Sequence, residues 1–458
     1  MTNPPVAYIG LPEERRAAGQ ARRKQIKRQH HGGWDAKLRH ALKHNPLKLL
    51  EESMRGRVPA LVPLKYQRML ASPFGFFRGA VPMMAADLAL LPNTGIVSQI
   101  CGDAHVRNLG AFAAPDGRLV FDINDFDETT RGPFEWDLKR LVTSLVLAGR
   151  EAGAKDGCVE GAVLACVARY QKYVHMFAAL PVLELARYQV HRLMKVAPLC
   201  DVLSKAERAT PAHSLQTLTV PGEKGAGRIF RENRPLLYRI GGVERRQVLA
   251  ALSEYRDALL PERRHILEQF RPIDVCFKVV GTGSVGTRDY CIYMEGNGAG
   301  DPLFLQIKEE VGSAYRPYLG NDAQAAHWGR LVAEGQRAMQ LLSDPLLGWT
   351  TIANRCYVVR QLNDHKASID MGVLTGPGLT AYAEICGELL ARGHSRSGDV
   401  QMIAGYIGKG ESLAGALLNF AMAYAGQTEA DWELLCKSKH ARHGTACGKA
   451  AEKAKQGG

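Results

Sequence analysis

The chain has 458 residues, a formal net charge of +13, 46% hydrophobic and 23% charged residues. That is length for two or three structural units with ample core, and the composition of an ordinary globular protein. No apolar run reaches the roughly 18 residues of a membrane span, the first twenty residues lack the apolar stretch of a secretory signal, and the ten cysteines are scattered without a C-x-x-C pair, which reads as a cytoplasmic protein with reduced thiols, no membrane segment, no zinc site and no disulfide framework.

The charge is concentrated at the ends. Residues 1–50 carry 11 Lys/Arg against 3 Asp/Glu, and residues 437–458 carry 6 against 1, so the stretch between them sums to zero. Residues 1–45 are expected to be a basic, partly disordered segment, with Arg15, Arg16, Arg22, Arg23, Lys24, Lys27 and Arg28 in solvent, and 437–458 a basic tail. Weak contacts between these tails and acidic partners are compatible with that charge. Nucleic-acid binding is not supported, because no recognition motif or aromatic interleaving accompanies the basic residues.

In chain order, 46–53 has the spacing of a short amphipathic helix and 58–63 that of a connector. Residues 64–92 are dense in aromatics and Met, with Arg68 and Arg78 set among them. A buried guanidinium needs an anionic partner, so Arg78 is expected in a structural ion pair with a nearby carboxylate, or against a phosphate.

Residues 99–137 hold the densest chemistry. A strand-like lead over 94–101 delivers Gly102-Asp103-Ala104-His105-Val106-Arg107-Asn108, a polar turn follows at 115–117, and a second strand over 118–123 ends on Asn124-Asp125-Phe126-Asp127-Glu128. If those two strands form a hairpin, Asp103, Asn108 and Asp125 converge, an oxygen set suited to Mg²⁺. Taken singly, Asp and Asn after strands are more often turn formers than ligands. Helices are expected over 138–150, 161–180 and 182–196. The Pro- and Gly-rich stretch 211–245 is expected to be a long loop whose Lys224, Arg228, Arg231, Arg234 and Arg239 lie in solvent.

Residues 274–308 contain Gly281-x-Gly283-x-x-Gly286, with Ser284 among the glycines. A strand follows, not a helix, so the pattern reads as a phosphate-covering hairpin and not a dinucleotide fingerprint. The next strand, 303–308, ends on Lys308, placed to grip phosphates. A helix over 323–342 offers Glu334 as its ion-pair partner, with Glu310 as a rival. The strand 357–362, carrying Arg360, leads to a hinge where backbone groups would meet adenine, and a helix over 379–392 runs into His394 and Asp399.

The succession Gly-Asp-x-His-x-x-Asn, Asp-Phe and Gly-Pro-Phe-Glu-Trp-Asp-Leu resembles the catalytic core of aminoglycoside-phosphotransferase-like kinases. The resemblance implies Asp103 as the base, with His105 in its loop, Asn108 and Asp125 on the metal, and Asp137 anchoring the catalytic loop. Cys101 stands where those enzymes usually have His. The same string, with GTGSVGTRDY (281–290), LQIKEE (305–310), EGQRAMQ (334–340), RQLNDHK (360–366) and ARGHSRSGD (391–399), is similar over most of 55–432 to a bacterial family catalogued as domain of unknown function 2252.

The implied fold is α+β and protein-kinase-like, with two lobes: a mainly helical large lobe from 46–265 and 363–436, and a small antiparallel-sheet lobe at 266–362 that binds nucleotide. Because the catalytic loop precedes the glycine loop, the plan is circularly permuted. The implied function is ATP- and Mg²⁺-dependent phosphotransfer to a hydroxyl acceptor. Nucleotidyl transfer on the same fold and a nucleotide-binding pseudokinase with a regulatory or interaction role are the alternatives. A metal-dependent hydrolase built on Asp103 and His105 is weaker, since no further His-rich motif completes its ligands.

Overall fold

Two short ladders place the acid-bearing loops side by side in the computed structural model, which describes residues 10–41, 45–190, 197–222, 227–320, 327–362 and 367–441. Strands β1 (Val97–Ile100), β2 (Leu109–Ala113), β3 (Leu119–Ile123) and β4 (Thr130–Pro133) follow one another closely. β1 pairs antiparallel with β4, and β2 with β3. The loop 101–108 leaves β1 and the loop 124–129 enters β4, so the β1–β4 ladder holds the two loops together. This corrects the expected pairing of 94–101 with 118–123. The intervening run Leu-Gly-Ala-Phe-Ala is itself a strand and takes β3 as its partner.

Further along are β5 (Thr219–Pro221), β6 (Arg228–Phe230), β7 (Leu237–Arg239), β8 (Arg271–Lys278), β9 (Asp289–Glu295), β10 (Pro302–Glu310), β11 (Gly348–Ile352), β12 (Arg355–Gln361) and β13 (Ala367–Ser368). β13 joins the edge of β2. β7 to β12 form a six-stranded antiparallel sheet in the order β11-β12-β10-β9-β8-β7. β10 is central and buried on both faces apart from its first residue, which its near-continuous apolar run allows. On one face Val275, Ile292, Leu305, Ile307 and Val359 pack with Val248 and Tyr255 from the helices Gly242–Ala250 and Leu252–Ala258. On the other, Phe230, Cys276, Tyr293 and Phe304 form a smaller cluster.

The largest core gathers around the helix Phe134–Glu151, nearly all of which is buried, with the helices Asp156–Ala179, Gly376–Ser397 and Ser412–Lys437 against it. Gly387 permits the close crossing of two of them, since a Cβ there would come 2.2 Å from the Cys166 carbonyl oxygen. Helix accounts for 55% and strand for 16%, so the class is mixed α+β with small antiparallel sheets, as expected. Among the described residues no helix is long and apolar enough to cross a membrane.

Two regions depart from the sequence reading. Residues 12–25, expected in a solvated segment, form the helix Pro12–Gln25, which docks on the helix Val400–Ile407. Arg15 pairs with Asp399 at 2.9 Å, Arg23 donates to the carbonyls of Gly405 and Tyr406, and Arg28 donates to that of Ile407. Arg23 and Arg28 meet the unpaired carbonyls at the C-terminus of that helix and Arg15 meets its N-cap carboxylate, which charge count alone does not reveal. The stretch 211–245 is likewise no simple loop: it holds the helix Pro211–Leu218, the β5–β6 hairpin and the sheet-edge strand β7. Arg228 donates to Thr219, and Arg239 pairs with the buried Asp274 at 2.8 Å, so both are structural. Lys224 lies outside the described residues.

Candidate active site

The loop 101–108 is fixed from below by Asp137. The N–H groups of Cys101 and Gly102 donate to its two carboxylate oxygens at 2.8 and 2.9 Å, and His394 Nε2 lies 3.3 Å from one of them. Asp137 sits in the first turn of its helix, where a carboxylate is favourable. Gly102 has φ +78°, and a Cβ on it would lie 2.1 Å from the Glu128 carbonyl oxygen, so this glycine is what lets the two loops touch.

Asp103 is clamped by Arg140. The guanidinium donates to Asp103 Oδ1 through Nε at 2.6 Å, its Nη2 lies 2.5 Å from the same oxygen and donates to the Phe77 carbonyl at 3.1 Å, and the group is wholly buried 4.2 Å from the Phe77 ring centroid. Asp103 Oδ2 faces His105 Nε2 at 3.6 Å. Burial raises the Asp103 pKa above the ordinary carboxylate range, with Arg140 pulling the other way. Burial, then Arg78 and Arg140, push the His105 imidazole well below its usual value, so it is neutral. The Arg107 N–H donates to its Nδ1 at 3.1 Å. Asn108 Nδ2 donates to the Asp103 carbonyl at 2.9 Å, leaving the amide oxygen available.

In the second loop, Asp125 and Asp127 flank the buried ammonium of Lys308, which pairs closely with Asp127 and lies 3.5 Å from Asp125 Oδ1. Burial works against charge on both Asp125 and Lys308. Lys308 and Arg360 nevertheless hold the Asp125 pKa below its ordinary value, and Asp125 and Asp127 hold that of Lys308 above its own. Burial and the adjacent Asp125 push Asp127 up to about 7. Glu310, two residues beyond Lys308 and so on the same strand face, is buried with Oε1 unpartnered, its pKa raised by burial and then by Asp127. Glu334 is not the lysine's partner: it pairs with Arg330 at 2.7 Å on the exposed side of the helix Trp328–Met339. The i,i+4 spacing to Arg330 offers it a nearer cation.

The glycine loop between β8 and β9 lies across a cleft from both acid-bearing loops. The cleft opens to solvent; Asp103, His105, Asn108 and Asp125 line it together with Gly281, Gly283 and Ser284. Gly286 packs against Arg57, whose side chain donates to the Val285 carbonyl at 2.7 Å. Lys65 Nζ donates to the Gly283 carbonyl at 2.5 Å, and Arg68 Nη1 to that of Gly281. Burial, then Arg57, lower the Lys65 pKa well below the ordinary value. Arg360 does not line this cleft. It donates to Gln306 Oε1 at 3.1 Å and to the Asn124 carbonyl at 3.2 Å, beside a smaller cavity lined by Phe112, Gln340 and Asp344.

Arg140, Asp127, Lys65 and Arg57 were not singled out from the sequence. Arg140 lies three residues after Asp137, one turn along the same helix, which is the available signal. Lys65 and Arg57 reach the glycine loop from more than 200 residues away, and no local pattern marks them.

Among the described residues no group of three or more His, Cys, Asp or Glu side chains is arranged to hold a metal by itself. Asp125 Oδ1 is nevertheless buried without a hydrogen-bond partner, and it shares the cleft with the Asn108 amide. One carboxylate and one amide oxygen fit a Mg²⁺ ion that brings water and phosphate oxygens as its other ligands, and do not fit a resident zinc site.

A mixed α+β fold with a glycine-loop hairpin facing two acid-bearing loops defines a candidate active site lined by carboxylate and amide oxygens and by glycines. The chain belongs to the family described as uncharacterized protein conserved in bacteria (DUF2252), whose profile matches residues 57–438. No curated protein matches the chain, and no solved structure does.

Proposed function

We propose that the protein is an ATP-dependent phosphotransferase on a circularly permuted, kinase-like plan, acting on a hydroxyl acceptor. The observation that carries this reading is the meeting, on one cleft, of the glycine loop with Asp103, Asn108 and Asp125, which are far apart in sequence. The succession of glycine-loop hairpin β8–β9, lysine strand β10, helix Trp328–Met339 and strands β11 and β12, with β12 beside β10, supports it. The lysine differs from the usual arrangement in taking Asp125 and Asp127, not a helix-borne glutamate, as partners.

Under this reading Asp103 Oδ1 is occupied by Arg140, and Oδ2 is the oxygen that receives the acceptor hydroxyl proton. The acceptor oxygen bonds to the terminal phosphorus as the bond to the bridging oxygen of ADP breaks. A carboxylate whose pKa is raised by burial is a stronger base than one in water. Asp137 keeps the loop in place through the Cys101 and Gly102 amides. Asn108 and Asp125 would hold Mg²⁺, which supplies charge neutralisation for the phosphates. Positioning and electrostatics then provide most of the acceleration.

Calorimetric titration tests the nucleotide part. Mg·ATP binding that Lys308→Ala weakens is expected. Equal affinity with and without Mg²⁺, and in the variant, contradicts the role given to Lys308.

A further inference from the structure

Arg78 ends the helix Pro73–Gly79 and faces the cleft beside the glycine loop. The structural ion pair expected for it is not formed. Its Nε is buried without a partner, and its guanidinium makes no hydrogen bond or ion pair among the described residues. Asp103 and Asp125 act on it through space, but Arg140 and Lys308 already engage them. A half-buried guanidinium without a hydrogen bond or ion pair of its own, beside carboxylates that other cations engage, is placed to take an anion entering the cleft.

The facing loop is prepared for the same charge. The N–H groups of Gly281, Thr282, Gly283 and Ser284 donate to no group among the described residues. The carbonyls of Gly281, Gly283 and Val285 are meanwhile held by Arg68, Lys65 and Arg57. A trans peptide directs its C=O and the next residue's N–H to opposite sides, so tying the Gly281 and Gly283 carbonyls fixes where the N–H groups of Thr282 and Ser284 point. A Cβ on Gly283 would lie 3.4 Å from the Arg78 backbone carbonyl oxygen, so the end of that helix runs beside the loop, and Arg78 lines the same cleft as Gly281, Gly283 and Ser284.

We propose that Arg78 and the free amides of Gly281–Ser284 form an oxyanion site for the terminal phosphate of a polyphosphate chain, with Arg78 and not Lys308 as its principal cation. The assignment of that chain to a nucleotide rests on the phosphotransferase reading; the anion site itself does not. A guanidinium offers a planar pair of donors to a phosphate, whereas the Lys308 charge is already offset by Asp125 and Asp127.

The test titrates the wild-type chain, Arg78→Lys and Arg78→Gln with Mg·ATP, adenosine and inorganic tripolyphosphate, and records melting curves of each without ligand. Arg78→Gln is expected to weaken both ATP and tripolyphosphate by about tenfold to a hundredfold, to leave adenosine affinity unchanged, and to melt no lower than wild type. Arg78→Lys is expected to recover part of the loss. Unchanged tripolyphosphate and ATP binding in Arg78→Gln overturns the proposal, and so does a lower melting temperature of that variant, which would mark a structural arginine. A wild type that binds tripolyphosphate in an Arg78-dependent way, but neither ATP nor adenosine, removes the nucleotide reading and sustains the anion site. Binding of none of the three removes both.

Discussion

Arg140 Nε lies 2.6 Å from Asp103 Oδ1, so the carboxylate that faces the cleft is held from behind by a cation with no exposure to water. The pair links the core helix Phe134–Glu151 to the loop 101–108, and it fixes which Asp103 oxygen remains free. Stability and chemistry are therefore coupled at one contact.

Removing one partner of such a pair leaves a buried charge uncompensated, which costs about 3–5 kcal/mol. Arg140→Met should lower urea-unfolding stability by that order, and Arg140→Met combined with Asp103→Asn should recover much of it. Strictly additive losses in the double variant would show that the two residues are not coupled.

The roles given to the two loops differ and can be separated. Asp103→Asn should leave Mg·ATP binding nearly intact while turnover falls by about 10²–10⁴, because a proton acceptor has been removed. Asp125→Asn should weaken both binding and turnover, since a carboxylate oxygen that accepts no hydrogen bond, and the charge it sets against Lys308, are lost from the cleft. Paired titration and rate measurements decide it. Full activity in Asp103→Asn would place the base elsewhere.

Gly102 is required by both conformation and space. At φ +78°, with the Glu128 carbonyl oxygen 2.1 Å from any added Cβ, Gly102→Ala should cost more than the roughly 1–2 kcal/mol of the left-handed backbone alone. Loss of hydrogen-exchange protection at the Cys101 amide, which donates to Asp137, is the expected readout. Unchanged protection would mean that the loops part without consequence.

The docking of the N-terminal segment should respond to pH. His31 is buried, its Nε2 2.7 Å from the Tyr406 hydroxyl, and burial, then Lys139, lower its pKa from 6.5 to about 3. Below pH 6.5 the unfolded chain takes up a proton that the folded chain refuses. The stability His31 contributes is therefore complete above about pH 6.5 and falls toward pH 3, by at most about 1.4 kcal/mol per unit. Melting temperature should drop more steeply between pH 7 and 5 in wild type than in His31→Gln. Parallel curves would contradict the burial of a neutral imidazole.

What could be read from the sequence divides along physical lines. That Asp103, His105, Asn108 and Asp125 gather at one place was legible because they stand at short spacing on loops between strands, and Gly281–Gly286 because a strand follows the glycines. Lys308 was legible as a strand residue, although the strand runs two residues further, to Glu310. Its partner was not, since Glu334 satisfied the helical spacing while Arg330, one turn earlier, satisfied Glu334. Arg140, Lys65 and Arg57 act through contacts that only the tertiary fold creates. The N-terminal helix was missed for a similar reason: its Arg23, like Arg28 just beyond it, looks solvated until the helix Val400–Ile407 presents its terminal carbonyls. In 211–245, prolines and glycines bound strands of three residues, too short for an alternating pattern to register.

The central claim is phosphoryl transfer from ATP. Purified protein incubated with Mg²⁺ and a cell metabolite extract, with ATP labelled at the γ position in one reaction and at the α position in another, tests it most directly. The account predicts an acceptor labelled from the γ position only, with the label lost in Asp103→Asn. Label transferred from the α position, or no transfer and no Mg·ATP binding by the wild-type chain, would contradict it.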